Sequence, residues 1–294
     1  MIIVMTGATA GIGAEALKHF TSLNDTKVYV GVRGSGRALP EGTKSFPLDL
    51  SSLKSVRSFA ETIKQHLGNA KINVLVLNAG ISAVDNQKSE EGFELTFATN
   101  HLSHYLLARL LEPNLAVGGR ILITTSDAHD PAVIPFGPKT LDIDALSHPT
   151  EHSPKGMALY AATKLCNMLT ARSIEKEFGE HKNIEVIAFN PGLTGDTSLM
   201  GKQPAILKLL IPVIRSIFYF VSVFKPAFFV GTAKRSGEAL AELALGKVVL
   251  PAGKIYVSLV RGKLTFPNPS KLAQSDLTRD LLWKESAKMV GLPA

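Results

Sequence analysis

The first twenty residues leave a chain like this few ways to fold. Ile2-Ile-Val-Met5 is a short apolar run, Thr6-Gly-Ala-Thr-Ala-Gly-Ile-Gly13 follows it, and Ala16, Leu17 and Phe20 then recur at helical spacing. The order is strand, glycine loop, helix. Glycines at 7, 11 and 13 permit a tight turn and a close backbone approach to a pyrophosphate. The helix start beyond them offers unpaired N–H groups at the positive end of its dipole. The spacing is Gly-x3-Gly-x-Gly, which departs from the Gly-x-Gly-x2-Gly fingerprint of dinucleotide loops. Taken by itself, the segment also reads as a glycine turn between buried elements.

Beyond this loop, strands and helices alternate. Lys27-Val-Tyr-Val-Gly-Val32 reads as a buried strand with Arg33 at its carboxyl end. In a doubly wound sheet ligands bind outside the carboxyl ends of the strands, and an acid at the tip of the second strand normally holds the adenosine ribose hydroxyls. Arg33 stands there instead, with Arg37 four residues on, and suits a 2′-phosphate. NADPH is therefore expected over NADH; the alternative is an ordinary exposed arginine. Gly34 to Lys44 holds three glycines and a proline, so the usual connecting helix is expected to shrink to a loop. Ser45-Phe-Pro-Leu-Asp-Leu50 gives a short strand ending in Asp49, and an amphipathic helix follows to His66. Asp49 either contacts the adenine amino group or helps to cap that helix.

Lys71-Ile-Asn-Val-Leu-Val-Leu77 is a continuous apolar strand, as in a sheet buried on both faces, and Asn78-Ala-Gly80 terminates it. A helix is expected over Glu90 to Leu111, with Asn100 in its middle, where asparagine is mildly unfavourable and invites a functional question. Gly119 to Ser126 is the next strand, with Ser126 at the carboxyl end. A further helix carries Tyr160 and Lys164 and continues to about Phe178, and Asn183 to Phe189 is a sixth strand ending in Asn190-Pro-Gly192. This alternation implies right-handed crossovers and a parallel sheet. The expected fold class is α/β, a doubly wound parallel sheet in one domain over 1–294, since no linker, repeat or low-complexity tract divides the chain.

Tyr160 and Lys164 stand four residues apart, so their side chains leave one helix face a turn apart. A positive charge beside a phenol stabilises phenolate, which would lower the Tyr160 pKa toward the working range of an acid catalyst. A Tyr-x-x-x-Lys spacing is common by chance, so its weight comes from the other motifs.

The net charge of +7 and pI of about 9.4 favour anionic partners such as a dinucleotide phosphate or an acidic membrane surface. Lys and Arg are spread along the chain without an aromatic-interleaved stripe, which argues against nucleic acid. Cys166 is the only cysteine, so no intrachain disulfide can form, which suits a reducing compartment. No metal site is expected: the histidines are scattered, and for the close pair His101 and His104 a solvated or capping role is the favoured reading. The apolar run at the start is too short for a signal-peptide core, and a cytoplasmic location is expected, with or without membrane association.

Taken together, these motifs resemble those of the short-chain dehydrogenase/reductase family over nearly the whole chain. Thr6-Gly-x3-Gly-x-Gly13, Asp49-Leu50, Asn78-Ala-Gly80, Asn100, Ser126, Tyr160-x3-Lys164 and Pro191-Gly192 occur in the family's order. Asn100-His-Leu-Ser-His and Thr125-Ser-Asp-Ala-His129 resemble retinol-dehydrogenase-like members. Lys164-Leu-Cys-Asn-Met-Leu-Thr170 and the tail Leu282 to Leu292 are similar to light-dependent protochlorophyllide reductases. The resemblance implies that Tyr160 protonates the carbonyl oxygen as hydride arrives, or takes the alcohol proton in reverse. It implies that Lys164 lowers the Tyr160 pKa and bonds the nicotinamide ribose, that Ser126 orients the substrate oxygen, and that Asn100 holds a relay water. It further implies a cofactor site from Gly7, Thr9, Ala10, Gly11, Ile12, Gly13, Arg33, Asp49, Leu50, Asn78, Ala79, Gly80, Tyr160, Lys164, Pro191, Gly192 and Thr194. Ala10 departs from the hydroxyl or amide side chain common in NADPH-using relatives, and the threonine after Pro191-Gly192-Leu-Thr-Gly-Asp-Thr197 comes one place late. Residues 127 to 159 make a long connection, compatible with an extra loop at the site's mouth.

Ser198 to Val230 is the richest apolar stretch, interrupted by Lys208, Arg215 and Lys225 and by Pro204, Pro212 and Pro226, so it is not a membrane span. A helical lid over 198–230 covering a large hydrophobic pocket is one reading; core or oligomer interface is a second, and an amphipathic membrane-surface contact a third. The resulting expectation is an NADPH-dependent reductase of a bulky hydrophobic ketone or aldehyde, or the reverse. Its rivals are light-dependent reduction of a tetrapyrrole double bond and a dinucleotide sensor without turnover, the latter having no need of Ser126, Tyr160 and Lys164 together.

Overall fold

Each early apolar run becomes a strand of one sheet, and the intervening helices cover its two faces. The computed structural model describes residues 1–34, 38–82, 87–179, 182–195, 222 and 225–293. In chain order the principal elements begin β1 (Ile2–Thr6), α1 (Gly11–Thr21), β2 (Lys27–Val32), β3 (Thr43–Pro47), α2 (Leu53–Leu67) and β4 (Ile72–Leu77). A helix interrupted by a π turn follows, as α3 (Leu95–Phe97), the π turn Ala98–Leu102, and α4 (Ser103–Leu111). Next come β5 (Leu115–Thr124), α5 (Ile143–Ser147), α6 (Gly156–Ile174), β6 (Glu185–Asn190), α7 (Ala233–Ala244), β7 (Tyr256–Val260), β8 (Lys263–Thr265) and α8 (Asp276–Met289).

The strand order is β3-β2-β1-β4-β5-β6-β7-β8. The first seven run parallel, and β8 closes the edge antiparallel to β7. The chain turns from one half-sheet to the other between β1 and β4, where Thr6 lies in register with Leu77. That register sets the glycine loop after β1 beside Asn78-Ala79-Gly80 after β4, at the switch point where such folds bind ligands. On one face α1 and α7 pack Ala16, Leu17 and Phe20 against Ala239, Leu240 and Leu243. On the other, α2, α4, α6 and α8 share a larger core containing Phe59, Ile63, Tyr105, Leu106, Leu165, Leu169 and Leu282.

Two expectations need correction. The helix expected from Glu90 starts at Leu95, because residues 88–94 form a tight turn with a Lys88–Glu94 bridge and the Glu94 carboxylate accepts from the Phe97 N–H, capping the helix there. The sheet has eight strands rather than six, since β7 and β8 add an edge beyond β6. Between β2 and β3 the described residues 38–42 carry no helix. Arg37, and most of the 198–230 segment read as a lid, lie outside the described residues. No helix among the described residues is long and apolar enough to cross a membrane.

Candidate active site

The glycine loop is shaped by close backbone approach. A Cβ on Gly13 would sit 1.9 Å from the Gly7 carbonyl oxygen, and Gly7 itself adopts φ +68°, so both positions require glycine. Asn78 Nδ2 donates to that same Gly7 carbonyl at 3.1 Å, and Thr124 Oγ1 donates to Asn78 Oδ1 at 3.0 Å. The ends of β1, β4 and β5 are thereby laced together. Helix α1 begins after Ala10 with no side chain capping it and no acid in its first turn. Its leading N–H groups thus offer an anion a place free of competing carboxylate. Arg33 is exposed just past β2. Asp49 Oδ1 is engaged by the Ser51 N–H at 2.9 Å and the Ser51 hydroxyl at 2.7 Å, while the cap of α2 is Ser52. The local-structure half of its expectation is what the geometry displays.

Ser126, Tyr160 and Lys164 converge at the carboxyl end of β5. Thr125 Oγ1 donates to the Lys164 carbonyl at 2.8 Å, and the Thr124 carbonyl accepts from Lys164 Nζ and Asn167 Nδ2, each at 3.1 Å. Those bonds bolt α6 to the strand that carries Ser126. Ser126 Oγ accepts from the Ala128 N–H at 3.2 Å, and the Ser126 side chain lies beside the Tyr160 phenol. Lys164 Nζ lies 5.5 Å from the centre of the Tyr160 ring. Gly80 faces the same ammonium: a Cβ there would stand 3.3 Å from Nζ and 3.6 Å from Asn100 Oδ1.

The electrostatics differ from the expectation that Lys164 lowers the Tyr160 pKa. Burial disfavours the phenolate and pushes Tyr160 up to about 12, against the smaller downward pull of the Ser126 hydrogen bond. Burial likewise brings Lys164 down to about 8. The ammonium sits over the ring, 5.5 Å from its centre, and donates to the Thr124 carbonyl.

Asn100 lies in the π turn, fully buried, and brackets the chain after β4: its Oδ1 accepts from the Ile81 N–H at 2.8 Å and its Nδ2 donates to the Ile81 carbonyl at 2.9 Å. Nδ2 also donates to Thr163 Oγ1 at 3.1 Å, on the helix of Tyr160 and Lys164. A mid-helix asparagine is thus accommodated by a widened turn, a feature that recurs at functional sites. At the end of β6 the Gly192 N–H donates to Asn190 Oδ1 at 3.0 Å, the Ser236 hydroxyl to the Pro191 carbonyl at 3.0 Å, and the Thr194 hydroxyl to the Gly192 carbonyl at 3.2 Å. Pro191, Gly192 and Thr194 therefore form a hydrogen-bonded turn beside the site.

Thr6, Thr124, Thr125, Asn167, His104 and His129 support the site and were not singled out for it by sequence reasoning. His101 and His104 are 1% and 2% exposed, so the expected solvated or capping role is overturned. Burial holds both imidazoles at a pKa of about 3.

Comparison with known proteins gives the class. A family model for short chain dehydrogenases matches residues 1–136. The WW domain-containing oxidoreductase of Danio rerio is 34% identical over 67% of this chain and 50% of its own length, so the chain spans about half of that relative. Human retinol dehydrogenase 12 is 29% identical over 99% of this chain and 86% of its own. The protochlorophyllide reductase of Avena sativa is 28% identical over 99% of this chain and all of its own length. Among solved structures, an uncharacterised protein from Mycobacterium paratuberculosis superposes with a TM-score of 0.71 at 23% identity, covering 100% of this chain and 95% of that one. An NADPH-bound carbonyl reductase from chicken fatty liver superposes at 0.57 and 18% identity, covering 83% and 86%. The chain belongs to the short-chain dehydrogenase/reductase family.

Proposed function

We propose that the chain is an NADPH-dependent oxidoreductase that reduces a bulky hydrophobic ketone or aldehyde to the alcohol, or runs the reverse, with Tyr160 as proton donor. The observation that carries this reading is the convergence of Ser126, Tyr160 and Lys164 on one side of the switch point, with the Ser126 side chain beside Tyr160 and Lys164 Nζ 5.5 Å from its ring centre. The residues present fit a dinucleotide: α1 starts without a side-chain cap, and the loop before it packs so closely that only glycine fits at 13, where a Cβ would stand 1.9 Å from the Gly7 carbonyl oxygen. When bound, the nicotinamide supplies the hydride. Gly7, Thr9, Ala10, Gly11, Ile12 and Gly13 would cradle the pyrophosphate, Arg33 would face the 2′-phosphate, and Asp49, Leu50, Asn78, Ala79 and Gly80 would line the adenosine side and floor. Pro191, Gly192 and Thr194 would hold the nicotinamide end. The name of the chicken structural neighbour, an NADPH-bound carbonyl reductase, supports the cofactor assignment.

With its pKa raised to about 12 the phenol holds its proton at neutral pH but is a weak acid, so its use as a donor requires that pKa to be lowered in the loaded site. Ser126, beside that phenol, would orient the oxygen and meet the charge that develops on it. Lys164, held by Thr124, would bond the ribose, and Asn100 would hold a relay water behind it. The apolar 198–230 stretch and the likeness to a retinol dehydrogenase favour a hydrophobic substrate. The test is NADPH oxidation against polyene and aryl aldehydes and ketones, with Tyr160→Phe beside the wild type. Turnover should fall by about 10²-fold or more, the range of lost acid catalysis; a variant with full activity overturns the assignment of the acid.

A second reading follows from the likeness to the Avena sativa protochlorophyllide reductase across almost the whole chain: reduction of a tetrapyrrole double bond in light. Turnover confined to illumination, with pigment carried through purification, would select it.

A further inference from the structure

Thr6, the last residue of β1, has a hydroxyl whose bonds fix one another. Its Oγ1 accepts from the Asn78 N–H at 3.1 Å and the Ala79 N–H at 3.2 Å, which fills both lone pairs. Its own proton must then go to the remaining neighbour, His104 Nε2, at 3.0 Å. An Nε2 that accepts leaves the ring proton on Nδ1. Nδ1 lies 3.2 Å from the main-chain carbonyl of Asn100, one turn earlier, and donates to it. The direction of the whole chain is set: N–H of Asn78 and Ala79 to Thr6, Thr6 to His104, His104 to the Asn100 carbonyl. Every member is buried or half-buried, and Thr6 and His104 are separated by 98 residues of sequence.

We infer that His104 is a positioning residue, which ties the loop beneath the dinucleotide to the Asn100 main chain behind Lys164 by holding its proton on Nδ1. Asn100 in turn fixes Ile81 next to Gly80, and Gly80 borders Lys164 Nζ, so the ring connects both ends of one active centre. A histidine does this because it presents an acceptor and a donor on opposite sides of one rigid plane. Phenylalanine fills the volume and offers neither. Asparagine keeps a donor near the position of Nδ1 but cannot reach Thr6, so it separates the two halves of the link.

The catalytic consequence rests on the roles proposed above for Tyr160, Lys164 and Asn100; the tautomer does not. The first measurement is therefore the ring-nitrogen NMR spectrum of wild-type protein at pH 7 without substrate, with His104 assigned by difference from His104→Phe, or from Thr6→Ser if that variant does not fold. A protonated Nδ1 and a bare Nε2 are expected; a proton on Nε2, or a doubly protonated ring, overturns the inference whatever the enzyme does. The second is NADPH-dependent turnover of the best aldehyde from the panel, read beside NADPH affinity by fluorescence and the melting temperature. His104→Phe should lower kcat about tenfold to a hundredfold, as small misplacement of reacting groups does, with NADPH affinity changed less than about threefold, and His104→Asn, which keeps the Asn100 bond but not the one from Thr6, should recover only part of kcat without recovering the melting temperature. Thr6→Val should lower kcat where Thr6→Ser does not. Equal kcat in His104→Asn and His104→Phe, or losses that simply follow the melting temperature, would make His104 a packing residue and sink the positioning role. Failure of the Tyr160→Phe test would instead remove the acid assignment and leave the ring-nitrogen result standing.

Discussion

At the scale of single residues, the site is set by space as much as by chemistry. Gly80 has an ordinary backbone conformation, so alanine could adopt it, yet the added methyl would stand 3.3 Å from Lys164 Nζ. Nζ is held by the Thr124 carbonyl and must yield by a few tenths of an ångström. Gly80→Ala should therefore lower kcat about tenfold or more, because reacting groups tolerate little displacement, while the melting temperature barely moves; a large drop in melting temperature with normal turnover would refute this. In the proposed function Arg33, exposed beyond β2 with no acid in its place, is the residue that selects NADPH. Arg33→Ala should raise the KM for NADPH far more than for NADH, since a guanidinium–phosphate pair is a charge-assisted contact that the plain ribose lacks. Equal changes for both cofactors would remove the argument. The residues of the centre were legible from sequence because each is a rare chemical type at a fixed offset from an apolar run. Thr6, His104 and His129 were not, because their partners are 98 residues away for Thr6 and 141 for His129, and only the folded sheet brings those partners together.

Among elements, the turn that carries Ser126 is held from a distant part of the chain. His129 Nε2 accepts from the Ser270 N–H at 3.2 Å, which leaves Nδ1 to donate to the Ser126 carbonyl at 2.6 Å. Tyr256 of β7 packs edge-on against the His129 ring at 5.3 Å, and its hydroxyl donates to Asp127 Oδ1 at 2.8 Å. His129→Phe keeps the ring but strands the Ser270 N–H in a buried place, a loss of about 1–3 kcal/mol. Chemical denaturation should show that cost together with a fall in kcat; a variant as stable as wild type would show that the clamp is idle. The elements supplying this clamp are those that sequence reasoning missed. Up to Gly192 the strands other than β3 carry apolar runs of three or four residues, and the long helices a spaced stripe. After it, β7 is five residues long and β8 three, the edge strand reverses direction, and α7 is an alanine- and charge-rich helix with a glycine inside it. Short edge strands are short of pattern as well as of length, and the apolar weight of the neighbouring 198–230 stretch drew attention from them.

At the scale of the whole molecule, three imidazoles are buried among the described residues, and this gives the protein a characteristic response to acid. His101 is bonded between Ser286 and Thr170, His104 between Thr6 and Asn100, and His129 between Ser126 and Ser270. Burial lowers the pKa of His101 and His104 to about 3 and lowers that of His129 as well. Four others, His19, His66, His148 and His152, are exposed. The sign follows from the lowered values. Above pH 6.5 the buried rings are neutral in both states and stability does not depend on them. Between that pH and the folded values the unfolded chain takes up protons that the native chain refuses, so stability falls as pH falls. Each such histidine contributes a slope that approaches about 1.4 kcal/mol per pH unit once its unfolded form is protonated. The window from pH 6.5 to 5 lies above most carboxylate titration, so urea unfolding there should show a decline steep enough for several histidines acting together. His101→Phe should reduce that slope by roughly one histidine's share, about 1.4 kcal/mol per pH unit at the lower end of the window, even if it lowers stability at every pH. A flat profile between pH 6.5 and 5, or a slope indifferent to the variant, would mean that these rings are charged in the native state, and a charged ring at position 104 could not accept the proton of Thr6.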